Sequence, residues 1–92
     1  MRITEGNIAR RVLIGLQVKV VRHPDHSLEG LEGYVIWETS RTIVLRTARG
    51  QRERRIRVLK DGALLEVELG GRRVLVEGFR LIGRPEERAR RA

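Results

Sequence analysis

The sequence predicts an all-β domain, a small antiparallel barrel or sandwich, and three observations predict it. Short runs of alternating apolar residues recur along the chain, and Gly, Pro, Asp and Ser signals interrupt them about every ten residues. The core available to such a fold is aliphatic, because 92 residues with 40% hydrophobic content contain one Trp, one Tyr and one Phe. The length suits one domain and excludes a two-domain enzyme. A domain this small buries only about 60 to 65% of its unfolded surface, so it is marginal alone and gains from a partner.

The elements follow in order. Thr4 is a reasonable N-cap for a short helix through about Arg11, with Ile8 and Val12 one turn apart and Arg10 and Arg11 near the C-terminal end. From Gly15, the residues Leu16, Val18 and Val20 alternate with Gln17, Lys19 and Val21, the period of a half-buried strand. His23-Pro24-Asp25-His26-Ser27 then breaks the pattern, which predicts a loop with exposed histidines. Gly30 to Trp37 reads as a second strand with Leu31, Val35 and Trp37 on one face and Tyr34 and Ile36 on the other. Gly30 and Gly33 give it the bend that a closed barrel requires.

Glu38 to Arg41 turns the chain into Thr42–Arg46, and Ala48-Arg49-Gly50-Gln51 turns it again into Arg52–Leu59. Gly62 and Gly70-Gly71 bracket Ala63–Leu69, and Arg73–Glu77 follows. The tail changes period: Pro85 suits a first helical position, Glu86 and Glu87 its first turn, and Arg88, Arg90 and Arg91 its end. With almost no apolar face, that helix is expected to order only against a partner. The expected organisation is an N-terminal helical extension over 1–14, the β-domain over 15–83 and a basic tail over 84–92.

The chain carries 20 Lys plus Arg against 12 Asp plus Glu, net +8, and 18 of the cations are Arg. The excess is concentrated. Residues 46–57 hold Arg46, Arg49, Arg52, Arg54, Arg55 and Arg57 against Glu53, five of the eight net charges. Edge protection of a sheet needs one or two charges, so six arginines on one hairpin predict contact with nucleic acid. If the two runs pair, Ile43, Leu45, Ile56 and Val58 face the core, and Arg46, Arg49, Arg55 and Arg57 are free to project outward or from the tip. Tyr34 and Trp37 are read as core residues, which leaves no stacking platform and predicts recognition of folded RNA by backbone and shape.

Catalysis by side chains is not expected. Cys is absent, the His23-x-x-His26 spacing spans a proline and fits a turn better than a metal site, and Glu66 with Glu68 reads as a solvated face balancing nearby Arg. No run reaches the roughly 20 apolar residues of a membrane helix, and the N-terminus lacks the apolar run of a signal peptide. A cytoplasmic protein without disulfides is expected.

One set of blocks, in this order and spacing, adds a family resemblance. Leu13-Ile14-Gly15-Leu16 with Val18 and Val20, Gly30-Leu31-Glu32-Gly33 with Val35, Glu38-Thr39, Thr42, Lys60-Asp61-Gly62, Gly78, Leu81 and Arg84-Pro85-Glu86-Glu87-Arg88 resemble archaeal ribonuclease P protein component 1 from Ile3 to Arg88. The resemblance implies a six-stranded antiparallel Sm-like (SH3-like) barrel with short N- and C-terminal helices. It implies an RNA-binding, non-catalytic subunit that supports the catalytic RNA of ribonuclease P in removing the 5′ leader from precursor tRNA. No cofactor is then expected in this chain, and Mg²⁺ serves the RNA. Its implied partners are ribonuclease P RNA, the zinc-ribbon subunit component 4 and the other ribonuclease P proteins. Component 4 is expected against Ile8, Arg11, Val12, Leu13, Leu16 and Val18. RNA is expected on the arginine hairpin and flanking positions: Arg22, Arg41, Arg46, Arg49, Arg52, Arg54, Arg55, Arg57, Arg72, Arg73, Arg84 and Arg88. A ribosome- or transcription-associated SH3-like module is the alternative, since Gly-Leu-Glu-Gly before a strand suits both.

Overall fold

A computed structural model describes residues 12–83. The expected terminal helices, and with them Ile8, Arg11, Arg84 and Arg88, lie outside the described residues, as does the side chain of Arg49. Six antiparallel strands form one sheet: β1 Gln17–Arg22, β2 Glu32–Glu38, β3 Thr42–Arg49, β4 Arg52–Leu59, β5 Leu64–Leu69 and β6 Arg72–Glu77. Their order is β4-β3-β2-β1-β5-β6. Single 3₁₀ turns over His26–Leu28 and Gly78–Leu81 complete the described chain. The fold is the expected all-β, barrel-like one.

Alternation builds the core. Val18 and Val20 from β1, Val35 from β2, Ile43 and Leu45 from β3, Val58 from β4, Leu65, Val67 and Leu69 from β5 and Val76 from β6 are buried together with Leu13, Ala63 and Leu81. All are aliphatic, as the composition demands. The sheet closes on itself through the segments after β4 and β6. Ala63 N–H donates to the Lys60 carbonyl, Gly78 N–H to the Ala63 carbonyl and Gly83 N–H to the Ser40 carbonyl. The backbones at Lys60 and Gly78 touch so closely that a Cβ at position 78 would lie 1.7 Å from the Lys60 carbonyl oxygen.

Three expectations are corrected here. Trp37 does not share a face with Val35: the β2–β3 register steps from Val35↔Leu45 to Trp37↔Val44, a bulge at Ile36 that reverses the alternation. Glu38 therefore turns inward, and Trp37 stands 60% exposed. Tyr34, 49% exposed, is not a core residue either. His23 is not an exposed loop histidine but is buried. Its Nδ1 accepts from the Asp25 N–H at 2.9 Å, so its proton sits on Nε2, facing the Leu59 carbonyl at 3.1 Å.

Candidate nucleic-acid interface

The β3–β4 hairpin carries the arginines because its ladder is unbroken. Eight rungs run from Thr42↔Leu59 to Arg49↔Arg52 without a bulge, so the two faces stay separate over the whole length. Gly50 and Gln51 alone join the strands, with Gly50 at φ +64°, the left-handed position that tight hairpin turns give to glycine. Ile43 and Leu45 meet Val58 and Ile56 on the inner face. Val44, Arg46 and Ala48 on β3 and Glu53, Arg55 and Arg57 on β4 occupy the outer one.

β2 pairs with β3 as far as Tyr34↔Arg46, and the last rungs of the hairpin extend past it. At that end Arg54, opposite Thr47, leans over the inner side. There it helps line a cleft of about 320 Å³ with Thr47, Ile56, Ser27 and Glu29.

The charge on this hairpin is not internally balanced. Among the described residues no carboxylate pairs with Arg46, Arg52, Arg54, Arg55 or Arg57. Arg46 and Arg55 stand directly opposite each other, a like-charge rung that costs stability. Arg73 differs: it donates to Glu66 at 2.9 Å, and this hydrogen bond raises its pKa above the ordinary arginine value.

The remaining expected positions are dispersed. Arg22 ends β1, Arg41 lies in the β2–β3 turn at the far end of the hairpin from Arg52, and Arg72 and Arg73 begin β6. All four are exposed, and none lies on the β3–β4 hairpin. Of the positions expected to face a protein partner, Val12 is exposed and Leu16 half-buried. Leu13 and Val18 are each 1% exposed and belong to the core, so they present no surface.

Two features of the site escaped the sequence. Tyr34 and Trp37 lie on the outer face beside the arginines, and only the run Tyr34-Val35-Ile36-Trp37, too apolar to alternate, hinted at it. The other is Lys60, buried completely, whose ammonium meets Glu38 at 2.7 Å and the carbonyls of Thr39, Ser40, Leu81 and Gly83. Its signal was its identity, a lysine where nearly every other cation is arginine. A compact ammonium suits converging carbonyls better than a planar fork. His26 pairs with Glu29 at 2.8 Å, and among the described residues no three His, Asp or Glu side chains cluster as metal ligands.

Residues 6–91 match the family model of the ribonuclease P/MRP subunit p29. The chain belongs to the p29 family. It is 44% identical over 89 residues to a ribonuclease P protein component 1 of Desulfurococcus amylolyticus, covering 96% of this chain and 94% of that protein. It is 40% identical over 89 residues to that of Methanocaldococcus jannaschii, covering 97% and 90%. The solved structure of Mth11, a homologue of the human RNase P protein Rpp29, aligns with a TM-score of 0.58 and 32% identity over 84% of this chain and 96% of that one. The p29 chain is thus a protein subunit of ribonuclease P, and a ribosome- or transcription-associated module is not favoured. As a p29 subunit it belongs to tRNA processing and has ribonuclease P components as its partners. Among its described residues no helix is long and apolar enough to cross a membrane.

Proposed function

We propose that this p29 subunit binds ribonuclease P RNA through the outer face and tip of the β3–β4 hairpin and takes no part in bond cleavage itself. The observation that carries the reading is the set of guanidinium groups at Arg46, Arg52, Arg54, Arg55 and Arg57 on one projecting ribbon, none of which meets a carboxylate among the described residues. A large folded RNA repels itself, and a compact cationic ribbon lowers the cost of holding its helices together while adding little sequence preference. The RNA, with Mg²⁺ bound to it, supplies the chemistry that removes the 5′ leader from precursor tRNA, in the cytoplasm. The exposed Val12 and half-buried Leu16, at the approach to β1, support a place there for the zinc-ribbon subunit component 4.

Reconstitution tests this. Leader removal by the RNA and the other protein subunits at modest Mg²⁺ is expected to slow when this chain is omitted, and to slow in the same sense with Arg46, Arg55 and Arg57 replaced by Gln. The chain without RNA is expected to cleave nothing. Equal rates with and without the chain would overturn the reading.

A further inference from the structure

The outer face of β2–β3–β4 combines exposed aromatic rings with unpaired cations, in two rows set by strand register. One row is Tyr34, Arg46 and Arg55, and the other is Trp37, Val44 and Arg57. Adjacent strands lie about 4.8 Å apart, so each ring has a guanidinium-bearing residue one or two strands away, about 5 to 10 Å across the sheet. That is the reach between a nucleotide's base and its own phosphate. Toward the hairpin tip, a cleft of about 210 Å³ beside Tyr34 and Arg46 is lined also by Glu32 and Glu53. These carboxylates repel phosphate from that end and leave Arg55 and Arg57 as its seat.

Two of the three aromatic side chains of the chain stand in this patch, and Trp37 keeps 60% of its surface in water. Every base has a π-face, so rings beside a cationic track take up unpaired nucleotides with little sequence preference. We infer that Tyr34 and Trp37 form a stacking site for an unpaired segment of RNA, with Arg46, Arg55 and Arg57 holding the phosphates. The inference rests on the RNA-binding reading above and adds the class of RNA: single-stranded nucleotides at this face, beyond helices held at the hairpin.

Trp37 is the sole tryptophan and reports directly on the site. The full chain is titrated with a single-stranded oligouridylate and, separately, with an RNA duplex of equal length. The single strand is expected to quench Trp37 emission strongly and the duplex weakly. Tyr34→Leu and Trp37→Leu are each expected to weaken single-strand binding by about 5- to 100-fold, with duplex binding and thermal unfolding little changed. An unquenched Trp37 together with unchanged single-strand affinity in both variants would overturn the stacking site. It would also be overturned if emission shifted only on adding another ribonuclease P protein, which would make the face a protein interface. Loss of duplex binding in the Arg46, Arg55 and Arg57 to Gln variant would then leave the RNA-binding reading standing. Unchanged binding there would remove both.

Discussion

The ammonium of Lys60 lies 2.7 Å from the Glu38 carboxylate, and neither side chain reaches solvent. Glu38 also accepts from the Leu13 N–H at 3.3 Å, while Lys60 donates to carbonyls at both ends of the closing segment, Thr39 and Ser40 on one side and Leu81 and Gly83 on the other. The pair thus joins the end of β4 to the end of β2 and to the chain after β6, where the sheet curls shut. Breaking such a pair from one side strands a buried charge. Lys60→Met is expected to lower unfolding stability by roughly 3 to 5 kcal/mol in urea denaturation, a large part of the roughly 5 to 15 kcal/mol of a small domain. Lys60→Arg is expected to fail as a rescue, because a planar fork does not fit this space. A loss below about 1 kcal/mol for Lys60→Met would deny the pair its closing role.

The same closure depends on two glycines that have no room for a side chain. A Cβ at position 33 would lie 2.4 Å from the Arg46 carbonyl oxygen, and one at 78 would lie 1.7 Å from that of Lys60. In each case the obstacle is backbone, which cannot swing aside. Gly33→Ala is expected to cost about 1 to 3 kcal/mol by prising β2 from β3, and Gly78→Ala at least as much. Thermal melts of the two variants check the order, and a Gly78→Ala melt equal to that of the parent would contradict it.

The strands and the basic hairpin were legible because nothing interrupts alternation between Thr42 and Leu59. Ile43, Leu45, Ile56 and Val58 could be assigned inward from period alone. Trp37 could not, since a bulge at Ile36 shifts the register, and the unbroken apolar run Tyr34-Val35-Ile36-Trp37 hints at a break in alternation without saying where it falls. The environment of His23 was hidden for a different reason. Pro24 and Asp25 do make a turn, but the imidazole is covered by contact with Leu59, distant in sequence. The role of Lys60 depends on convergence of several segments, which alternation does not show; only its identity, a lysine among arginines, set it apart.

His26 offers a pH test of the loop after β1. Its hydrogen bond to Glu29, and next the attraction of that carboxylate, raise its pKa above the ordinary value. The same hydrogen bond, followed by one from the His23 N–H, lowers that of Glu29. The signs set a window: the histidine contribution is complete below about pH 6.5 and fades as pH rises through the raised value. The glutamate contribution fades as pH falls through the lowered one. Imidazole resonances of His26 are expected to titrate above about 6.5 and to move back toward it in Glu29→Gln. An unchanged His26 titration in that variant would break the link.

Arg46↔Arg55 separates stability from binding most directly. Like charges across one rung destabilise the free protein, so Arg55→Gln is expected to raise its stability by about 0.2 to 1 kcal/mol. On the proposed RNA-binding reading the same change also removes a phosphate partner, so the slope of log affinity against log salt is expected to flatten by about 0.7 to 0.9 for each phosphate no longer neutralised. Arg73→Gln serves as the comparison, because its guanidinium already pairs with Glu66. It is expected to change the salt slope less and to leave stability level or slightly reduced. The paired measurements are chemical denaturation of the free chain and RNA titrations across a salt series. If Arg55→Gln lost stability and kept the parental slope, the cationic rung would be structural, and the hairpin would not be where this subunit meets RNA.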